Sequence, residues 1–514
     1  MTPSKSSESQ HHDTATATAT SMDSAPAGNH TVMWSVHVFA SYALVKDINM
    51  EHDDVDNDDS YFITTHEHSG EKMATEWNPE LRLGIKKAVD TIPHVFRQQW
   101  HYVGLDSIDH TLSEIEAFES DHDPDGHILI PSHFSGIQDT AKVLIKPVVM
   151  NFIDGMETDG WPGITIIKKL ESRHLAFTGA DSTLYYLDSD KALIKRHLVD
   201  TNTPTPGYYN IYSRLDEDMK AQQVKGNVVE EEDGELKKKE KTEDEKEMDR
   251  EEEEMAQKAL LYEGLSKLKF PLLVKPANSS SSRGISTKSV VDTPEEAYER
   301  AMETKRVWGP VYVEEYIAGR EYTALVSGSS ATGIKVYKVL ERVFRSEIPE
   351  RERMLTHDMK WGENNYGADE TVKNAQWWMQ TCSEADQERL QAIAKSIYAS
   401  FGGNGYCRMD LREDHRSGEV YVVDVNANCS IDEDQDCAMG KILKSSGLTL
   451  GQFFSILMED AIHVRDNLVA KFKGHAHSDL KNLATLAAIG GTKRPNASTA
   501  AEDGGSNKNI RISA

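Results

Sequence analysis

Residues 406–428 read YCRMDLREDHRSGEVYVVDVNAN, and this stretch decides the fold. Polar and apolar side chains alternate at both of its ends, which is typical of two strands joined by a turn. Arg408 and Asp410 share one face of the first strand, and Asp424 and Asn426 share one face of the second. One antiparallel register sets Asp410 opposite Asp424 and Arg408 opposite Asn426, because both pairs have the same index sum. The stretch therefore predicts a β-hairpin with four polar side chains on one patch.

This polar patch has the chemistry of a metal site. Carboxylate and amide oxygens are hard ligands that suit magnesium, with phosphate oxygens and water completing the octahedron. Like charges directly opposite each other destabilise a hairpin if nothing neutralises them. We therefore predict that Asp410, Asp424 and Asn426 bind metal. The alternative is a solvated sheet face on which Arg408 merely neutralises the acids.

A second candidate site is the stretch Lys275–Gly284, KPANSSSSRG, which lies between two predicted strands. Lys275 follows an apolar run and would be costly to bury unless an anion met it. The serine-rich turn that ends at Gly284 offers hydroxyl and amide donors that can fold over phosphates. An ordinary serine-rich hairpin loop is the competing interpretation.

Residues 313–321, VEEYIAGRE, form a third candidate site. Acidic residues in an apolar strand that turns at Gly319 can hydrogen-bond an adenine amino group or ribose hydroxyls. An edge strand protected by charge explains the same pattern equally well.

Taken in order, these signals resemble the ATP-grasp fold, and most closely the D-alanine/D-alanine ligase branch of the carboxylate-amine ligases. The resemblance extends roughly from Val148 to Ala461 and is strongest from Phe270 onward. The stretch from Lys275 to Gly284 keeps the family's spacing without a gap. The matching motifs are Thr178-Gly179, Asp190-Lys191, Val274-Lys275-Pro276, Ser281-Ser282 with Gly284, Glu314 to Ile317 with Glu321, and Arg408/Asp410 with Asp424/Asn426.

The resemblance implies a role for each matching residue. Asp410, Asp424 and Asn426 would bind two magnesium ions, for which manganese is an alternative. Arg408 would be catalytic, because it would neutralise charge on the transferred phosphoryl group and on an acyl phosphate. The residues that would bind ATP are Lys191 and Lys275 on the α- and β-phosphates, Ser281, Ser282 and Gly284 in the loop over the γ-phosphate, Glu314, Glu315, Tyr316 and Ile317 in the hinge that receives adenine, Glu321 on the ribose, and Lys360 as a further phosphate lysine.

The chain departs from the family's pattern at positions that concern the substrates. The family's N-terminal Glu motif, which grips the ammonium group of the first amino acid, has no counterpart near Val36 to Val45. Asn428-Cys429-Ser430 stands where the family usually has Ser-Pro-Gly, and Asp424 replaces the more usual Glu. The nucleotide half of the pattern is complete, whereas the half that would select D-alanine is not.

The resemblance implies an ATP-dependent ligase that phosphorylates a carboxylate and lets an amine displace the phosphate, giving an amide, ADP and phosphate. The expected substrates are small amino-acid-like molecules in specialised (secondary) metabolism. One competing function is an ATP-grasp modifier of a protein or peptide terminus. The other is a non-catalytic ATP-binding module that regulates an interaction, which would not need Arg408 and the metal ligands.

Composition excludes several other classes of protein. The 514 residues include 85 Asp and Glu against 57 Lys and Arg, a net charge of −28, which argues against binding to nucleic acid. No stretch approaches 18 consecutive apolar residues, and the start MTPSKSSESQHHD lacks the features of a secretory signal. A cytoplasmic protein without a membrane partner is therefore expected. The four cysteines form no CxxC pair, which predicts no disulfide framework.

The predicted fold class is α/β, an ATP-grasp fold preceded by a Rossmann-like pre-ATP-grasp domain. In the N-terminal part, short apolar runs alternate with helical lengths, which indicates a parallel sheet. Helices are predicted to begin after Thr293 and Ser383, whose hydroxyls can cap them. The expected divisions are a pre-ATP-grasp domain at 31–190, a central subdomain at 191–316 and a C-terminal subdomain at 317–474.

Three segments are predicted to lie outside these cores. Residues 1–30 and 475–514 have the composition of disordered tails. An acidic insert is predicted at about 228–254, because Glu230 to Glu254 holds 15 acidic and 6 basic residues and little apolar surface.

Overall fold

The computed structural model describes residues 31–41, 43–45, 64–68, 71–75, 79–120, 127–129, 142–155, 157, 160–211, 255, 258–277, 279, 282–361, 376–431 and 437–489. The predicted N-terminal tail and the acidic insert lie outside these residues. Helices and strands alternate over the described part, which confirms the α/β class.

The N-terminal part is built on a four-stranded sheet. Its strands are β1 (Thr31–Ser41), β5 (Val95–Val103), β6 (His127–Leu129) and β7 (Lys142–Asn151), in the order β5-β1-β7-β6. The strand β1 is parallel to β5 and β7, as predicted, whereas the short edge strand β6 runs antiparallel to β7. A small antiparallel sheet adds β2 (Ala43–Val45), β3 (Thr64–His68) and β4 (Glu71–Thr75).

Helices supply the crossovers that parallel strands require. The crossover helices are α1 (Pro79–Asp90), between β1 and β5, and α2 (Ile108–Ser120), between β5 and β7; three further helices, α3 (Ile164–Ser172), α4 (Ser182–Asp188) and α5 (Lys191–Asp200), follow β7. Apolar side chains on both faces of β1 are buried: Val36 and Val38 belong to a cluster with α1, and Phe39 belongs to a cluster with α2 and α3. The last turn of α4 and the first turn of α5 bring Asp188 and Lys191 toward the C-terminal sheet.

The central part is an antiparallel sheet of four short strands, and its core also includes the helical residues 258–265 and a longer helix. The strands are β8 (Tyr208–Asn210), β9 (Leu272–Pro276), β10 (Val290–Val291) and β11 (Val311–Glu315), in the order β10-β9-β11-β8. The helix α6 (Pro294–Trp308) packs Ala297 and Ala301 into this core. Its predicted cap is confirmed, since the Thr293 hydroxyl accepts a hydrogen bond from the Glu296 amide at 3.2 Å.

The C-terminal part is a six-stranded sheet. Its strands are β12 (Gly319–Ser329), β13 (Gly333–Val336), β14 (Leu340–Phe344), β15 (Trp377–Thr381), β16 (Tyr406–Asp414) and β17 (Val420–Ala427). The order is β15-β14-β12-β16-β17, and β13 pairs with β12. The helices of this part are α7 (His357–Trp361), α8 (Glu384–Ser400), α9 (Ala438–Ser445) and α10 (Leu450–Ile489).

Helix α8 begins at the predicted cap, where the Ser383 hydroxyl accepts from the Asp386 amide, and its apolar side packs against β12 and β16. Helix α10 continues to Ile489, so the predicted start of the C-terminal tail at residue 475 falls inside a helix. The sequence NLATLAAI at its end is rich in good helix formers, which favours this continuation. Among the described helices, none is both long and apolar enough to span a membrane. All four cysteines are free thiols.

Candidate active site

The hairpin predicted from residues 406–428 is present. Strands β16 and β17 pair antiparallel with Asp410 opposite Asp424 and Arg408 opposite Asn426, which confirms the predicted register. Beyond Asp410 the register slips by one residue, so the equal index sum holds only toward the Asn426 end.

Polar atoms on this hairpin are buried without a hydrogen-bond partner among the described residues. They are Asp410 Oδ1, Asn426 Nδ2 and Arg408 Nε, together with the hydroxyl of Thr323, which lies opposite Asp410 on β12. Buried polar groups are nearly always hydrogen-bonded, because leaving one unpaired costs about 1–3 kcal/mol. Rotating the Asn426 amide would turn its oxygen to the same place. The patch therefore fits a metal ion and bound oxygen atoms, and rules out a fully solvated sheet face.

Lys191 reaches this patch from the start of α5. Its Nζ lies 3.2 Å from Asp424 Oδ1, and the preceding Asp190 caps the helix by accepting from the Ala192 amide at 2.7 Å. Burial alone would lower the pKa of Lys191, but Asp424 and Asp188 outweigh it and raise the pKa. Burial alone would raise the pKa of Asp424, and Lys191 and Lys275 reverse this. Both groups are therefore charged at neutral pH.

Lys275 lies on β9 and is buried against Glu314 of the neighbouring strand β11. Its Nζ is 2.6 Å from Glu314 Oε1, and its ammonium group lies 5.4 Å from the centre of the Tyr312 ring. The anion that first meets this buried lysine is thus a protein carboxylate. The sequence-based expectation that Lys275 needs an anion is correct, whereas the phosphate that would replace Glu314 stays a prediction.

A second lysine, Lys195 of α5, binds the other oxygen of the same carboxylate. Its Nζ lies 2.9 Å from Glu314 Oε2 and also donates to Thr205 Oγ1 and to the Val422 carbonyl. Burial lowers the pKa of Lys195 to about 8, and the attraction of Glu314 opposes part of that shift. Sequence reasoning missed Lys195. Its spacing of four residues from Lys191 was the available signal, because residues four apart share one face of a helix.

The predicted adenine hinge, Glu314 to Ile317, uses its side chains for contacts within the protein. The Glu315 carboxylate accepts from the Lys269 amide at 2.8 Å, and the Tyr316 hydroxyl donates to the Glu350 carbonyl at 2.8 Å. Ile317 is buried. An adenine ring at this hinge would accordingly meet backbone groups, and the binding itself stays a prediction.

Glu321, the predicted ribose ligand, is buried between two arginines. Arg342 of β14 forms an ion pair with one carboxylate oxygen, and Arg412 Nη1 lies 3.5 Å from the other. Arg342 was not predicted from the sequence. Its place opposite Glu321 in the sheet is set by the pairing of β12 with β14, which the local pattern does not reveal.

The serine loop is described in part, since Ser281 lies outside the described residues. Ser282 and Gly284 have left-handed backbone conformations, with φ of 61° and 76°. A Cβ atom at Gly284 would come within 2.7 Å of the Pro276 ring, so the turn folds tightly back onto β9. Arg300 of α6 fixes the end of the loop by donating to the Gly284 carbonyl at 3.1 Å.

Lys360 lies close to the hairpin, on the short helix α7. Burial and the neighbouring cations Arg408 and Arg342 lower the pKa of Lys360 to about 8, while Asp410 and Asp424 oppose the shift. The structure thus brings Lys360 beside the patch that it was predicted to serve.

The turn at Thr178-Gly179 is hydrogen-bonded to the end of β17. Asn428, just after β17, accepts a hydrogen bond from the Ala180 amide at 2.7 Å, and Asp188 accepts one from the Ala427 amide at 3.0 Å. Burial, followed by the nearby Asp424 and Asp154, raises the pKa of Asp188 well above its usual value. Sequence reasoning missed Asp188, whose approach to β17 depends on how α4 packs.

Taken together, several lysines lie beside a hairpin that carries carboxylates. Among the described residues, some polar atoms of this hairpin have no hydrogen-bond partner. Such an arrangement can hold a polyphosphate with divalent cations, because the lysines meet phosphate oxygens and the carboxylates meet metal.

Comparison with known proteins places this site in a family context. Residues 242–459 match the family model described as D-ala D-ala ligase C-terminus. A D-alanine–D-alanine ligase of Rhizobium meliloti (strain 1021) is 27% identical over 202 residues, which cover 38% of this chain and 58% of the relative. The corresponding enzyme of Methylococcus capsulatus is 31% identical over 159 residues, covering 31% of this chain and 44% of the relative. The match thus spans about half the length of these relatives.

Solved structures of similar proteins include the D-alanine–D-alanine ligase from Bacillus anthracis complexed with ATP, with a TM-score of 0.47 and 13% identity over 84% of this chain and 99% of that one. The VanG D-Ala:D-Ser ligase from Enterococcus faecalis has a TM-score of 0.45 and 15% identity, over 85% of this chain and all of the other. The family-model match includes β9, the hinge and the whole hairpin. Residues 242–459 of this chain are therefore similar to the C-terminal part of D-alanine–D-alanine ligases.

Proposed function

We propose that this protein is an ATP-dependent carboxylate-amine ligase, which forms an amide bond through an acyl phosphate and releases ADP and phosphate. The observation that carries the proposal is the hairpin patch. Its unpaired Asp410, Asn426 and Arg408 atoms lie beside the buried lysines at the point where α5, β9 and α7 meet. A structural ion-pair network would pair these atoms with one another, whereas a phosphoryl-transfer site leaves them for its ligands.

The chemistry of such a ligase needs a leaving group, because water favours the free carboxylate over the amide. Magnesium and ATP would supply the phosphoryl group and neutralise its charge. Asp410, Asp424 and Asn426 would hold the metal, and Lys191 and Lys275 would meet phosphate oxygens. With Asp424 serving as a metal ligand, Lys191 would no longer need it as a partner and could bind phosphate.

Arg408 would act on the reacting oxygens. Its guanidinium lies on the same face as the metal ligands, 3.6 Å from Asp410 Oδ2, and its Nε has no partner among the described residues. A fixed donor that points at developing negative charge stabilises the transition state more than the bound substrates. The side chains of the patch are partly exposed, with Asp424 at 34%, so they remain accessible to a bound nucleotide.

We further propose that the substrates are free amino-acid-like molecules. Asn428-Cys429-Ser430 stands where the family that this chain resembles usually has Ser-Pro-Gly, so the contacts that would select D-alanine are not kept. The Asn428 side-chain oxygen accepts a hydrogen bond from the Ala180 amide, so this strand end is built differently. A substrate other than D-alanine, as in specialised metabolism, accords with that difference.

The decisive assay measures ADP release from the purified chain with magnesium and ATP, against pools of free L- and D-amino acids and then against peptides. Free amino acids should stimulate ADP release, and the D410N/D424N double variant should abolish it. Stimulation by peptides alone would favour a modifier of peptide termini. Release of AMP and pyrophosphate would contradict the proposal.

The acyl-phosphate route has its own test with the acid substrate that the screen identifies. Oxygen-18 in its carboxylate should appear in the released phosphate, because that oxygen leaves with the phosphoryl group when the amine attacks. Unlabelled phosphate would exclude the intermediate.

A further inference from the structure

The carboxylate of Glu314 is buried between two lysines that differ in how they are held. Lys195 and Lys275 bind its two oxygens at 2.9 and 2.6 Å, and their side chains are 2% and 8% exposed. Burial would raise the pKa of Glu314, but the two ammonium groups outweigh it and lower the pKa. Glu314 is therefore an anion that must keep at least one cationic partner.

Lys195 is fixed in place. Besides Glu314, its three donors reach the Thr205 hydroxyl at 2.8 Å and the Val422 carbonyl of β17 at 3.1 Å. An ammonium group has three N–H donors, so all of them are used by the protein. Lys195 consequently has no donor left for a nucleotide.

Lys275 is held much less completely. Among the described residues, its ammonium group hydrogen-bonds to Glu314 alone, supplemented by the Tyr312 ring face. Its side chain is the more exposed of the two, and it lies close enough to Asp424 to lower the pKa of that carboxyl. Lys275 thus has spare donors on the side where phosphate would bind.

We propose, on the basis of the ligase function proposed above, that Lys195 is a positioning residue that lets Lys275 exchange Glu314 for an ATP phosphate. With Lys195 and the Tyr312 hydroxyl remaining on Glu314 Oε2, the carboxylate keeps its partners when Lys275 turns away. Without Lys195, the departure of Lys275 would leave the buried Glu314 carboxylate without a cationic partner, which is strongly unfavourable. Lys195 would thereby control ATP affinity without touching ATP.

The test measures binding of magnesium and a non-hydrolysable ATP analogue, AMP-PNP, by calorimetry with the full chain. Lys195→Met should weaken analogue binding at least tenfold, because Lys275 is then held by Glu314. Adding Glu314→Gln in the same chain should restore affinity to within about threefold of the wild type, since no buried charge remains. Arg196→Met is the matched control: Arg196 is the next residue of α5, is exposed and should not affect binding.

The rescue separates positioning from simple structural damage. The double variant lacks the same bonds to Thr205 and Val422, so a merely structural role of Lys195 predicts no recovery. Equal affinity of the Lys195→Met variant and the wild type, or a double variant as weak as Lys195→Met, would overturn the proposal.

Glu314→Gln alone provides a second test that does not depend on the folding of Lys195→Met. It should bind the analogue at least as tightly as the wild type, because Lys275 no longer has to leave a carboxylate. A tenfold loss would show that ATP itself needs Glu314 and would overturn the inference. A wild-type chain that does not bind the analogue would overturn the proposed ligase function as well.

Discussion

Lys191 Nζ and Asp424 Oδ1 lie 3.2 Å apart although 233 positions separate the two residues along the chain. This contact joins the first turn of α5 to β17, so a cation and a carboxylate that are both proposed to serve ATP binding neutralise each other. Each protects the other from the cost of burial, and each becomes available when metal and phosphate arrive together.

Replacing Asp424 by Asn should therefore change the magnesium requirement. The amide keeps the size of the side chain but loses the charge that metal and Lys191 share, so the magnesium concentration for half-maximal ADP release should rise at least tenfold. Glu419→Gln, in the turn of the same hairpin, is the control and should not alter this midpoint. An unchanged midpoint in Asp424→Asn would show that the hairpin is not the metal site.

The contact between Gly405 and Gly179 predicts an unusually intolerant glycine. Gly405 has a φ of 82°, and a Cβ atom there would lie 1.7 Å from the Gly179 carbonyl oxygen. Gly405→Ala should lower the free energy of unfolding by more than about 2 kcal/mol, because it adds a backbone clash to the cost of the left-handed conformation.

Gly418→Ala is the matched control for this prediction. Gly418 has a similar φ of 70° with nothing within 4 Å of the added atom, so it should lose only about 1 kcal/mol. Denaturant unfolding of both variants checks the difference. Equal losses of unfolding free energy in the two variants would mean that the turn at Gly179 moves away from the added methyl group at little cost.

A buried histidine pair should make the protein sensitive to acid. His37 Nδ1 lies 3.0 Å from His101 Nε2, and burial, with His101 and Arg97 nearby, lowers the pKa of His37 to about 3. Below pH 6.5, His37 is protonated in the unfolded chain but stays neutral in the folded protein. The free energy of unfolding therefore falls as the pH drops from 6.5 toward 3. The loss from this residue between pH 7 and pH 5 should be about 2 kcal/mol.

Thermal unfolding at pH 7 and pH 5 checks this expectation. His37→Gln, which carries no charge at either pH, should show a smaller drop in Tm than the wild type. His110→Gln should keep the wild-type drop, because His110 is exposed. If His37→Gln is just as acid-sensitive as the wild type, other groups cause the effect.

The sequence predicted the parts of the site that depend on local pattern. Alternation along two adjacent strands sufficed to predict that Asp410 faces Asp424, and the hydroxyl of Thr293 marked the start of a helix. Such features need only neighbouring residues, so a single sequence contains the necessary information. The register slip after Asp410 was not predicted, because nothing in the local alternation marks it.

The partners of the buried charges could not be predicted in the same way. Lys195 meets Glu314 because α5, whose apolar side packs with the C-terminal sheet, reaches β11, and Arg342 meets Glu321 because β14 pairs with β12. Both contacts depend on tertiary packing between segments that are distant in sequence or whose pairing has no local signal. The sequence pattern predicted candidate ligand-binding residues. The structure identified the charged protein side chains with which these residues pair when no ligand is bound.

Arg408 gives the sharpest prediction about catalysis. Arg408 lies opposite Asn426, and its guanidinium lies 3.6 Å from Asp410, one of the proposed metal ligands. A positive group there should interact most strongly when the phosphoryl group is in transfer and when the amine's attack leaves an oxyanion. Removing one such donor typically lowers the rate by about 10² to 10³ with little effect on ground-state binding. Arg408→Ala should therefore bind AMP-PNP almost as well as the wild type but release ADP far more slowly.

Two further variants make this prediction specific. Arg408→Lys should recover only part of the rate, because a single ammonium group lacks the planar fork that binds two oxygens. Arg416→Ala, in the exposed turn of the same hairpin, should keep both the affinity and the rate. Single-turnover ADP release and calorimetric binding separate the two effects. If Arg408→Ala loses nucleotide affinity in proportion to its rate, Arg408 serves binding of the ground state, and the assigned role in phosphoryl transfer and amine attack is wrong.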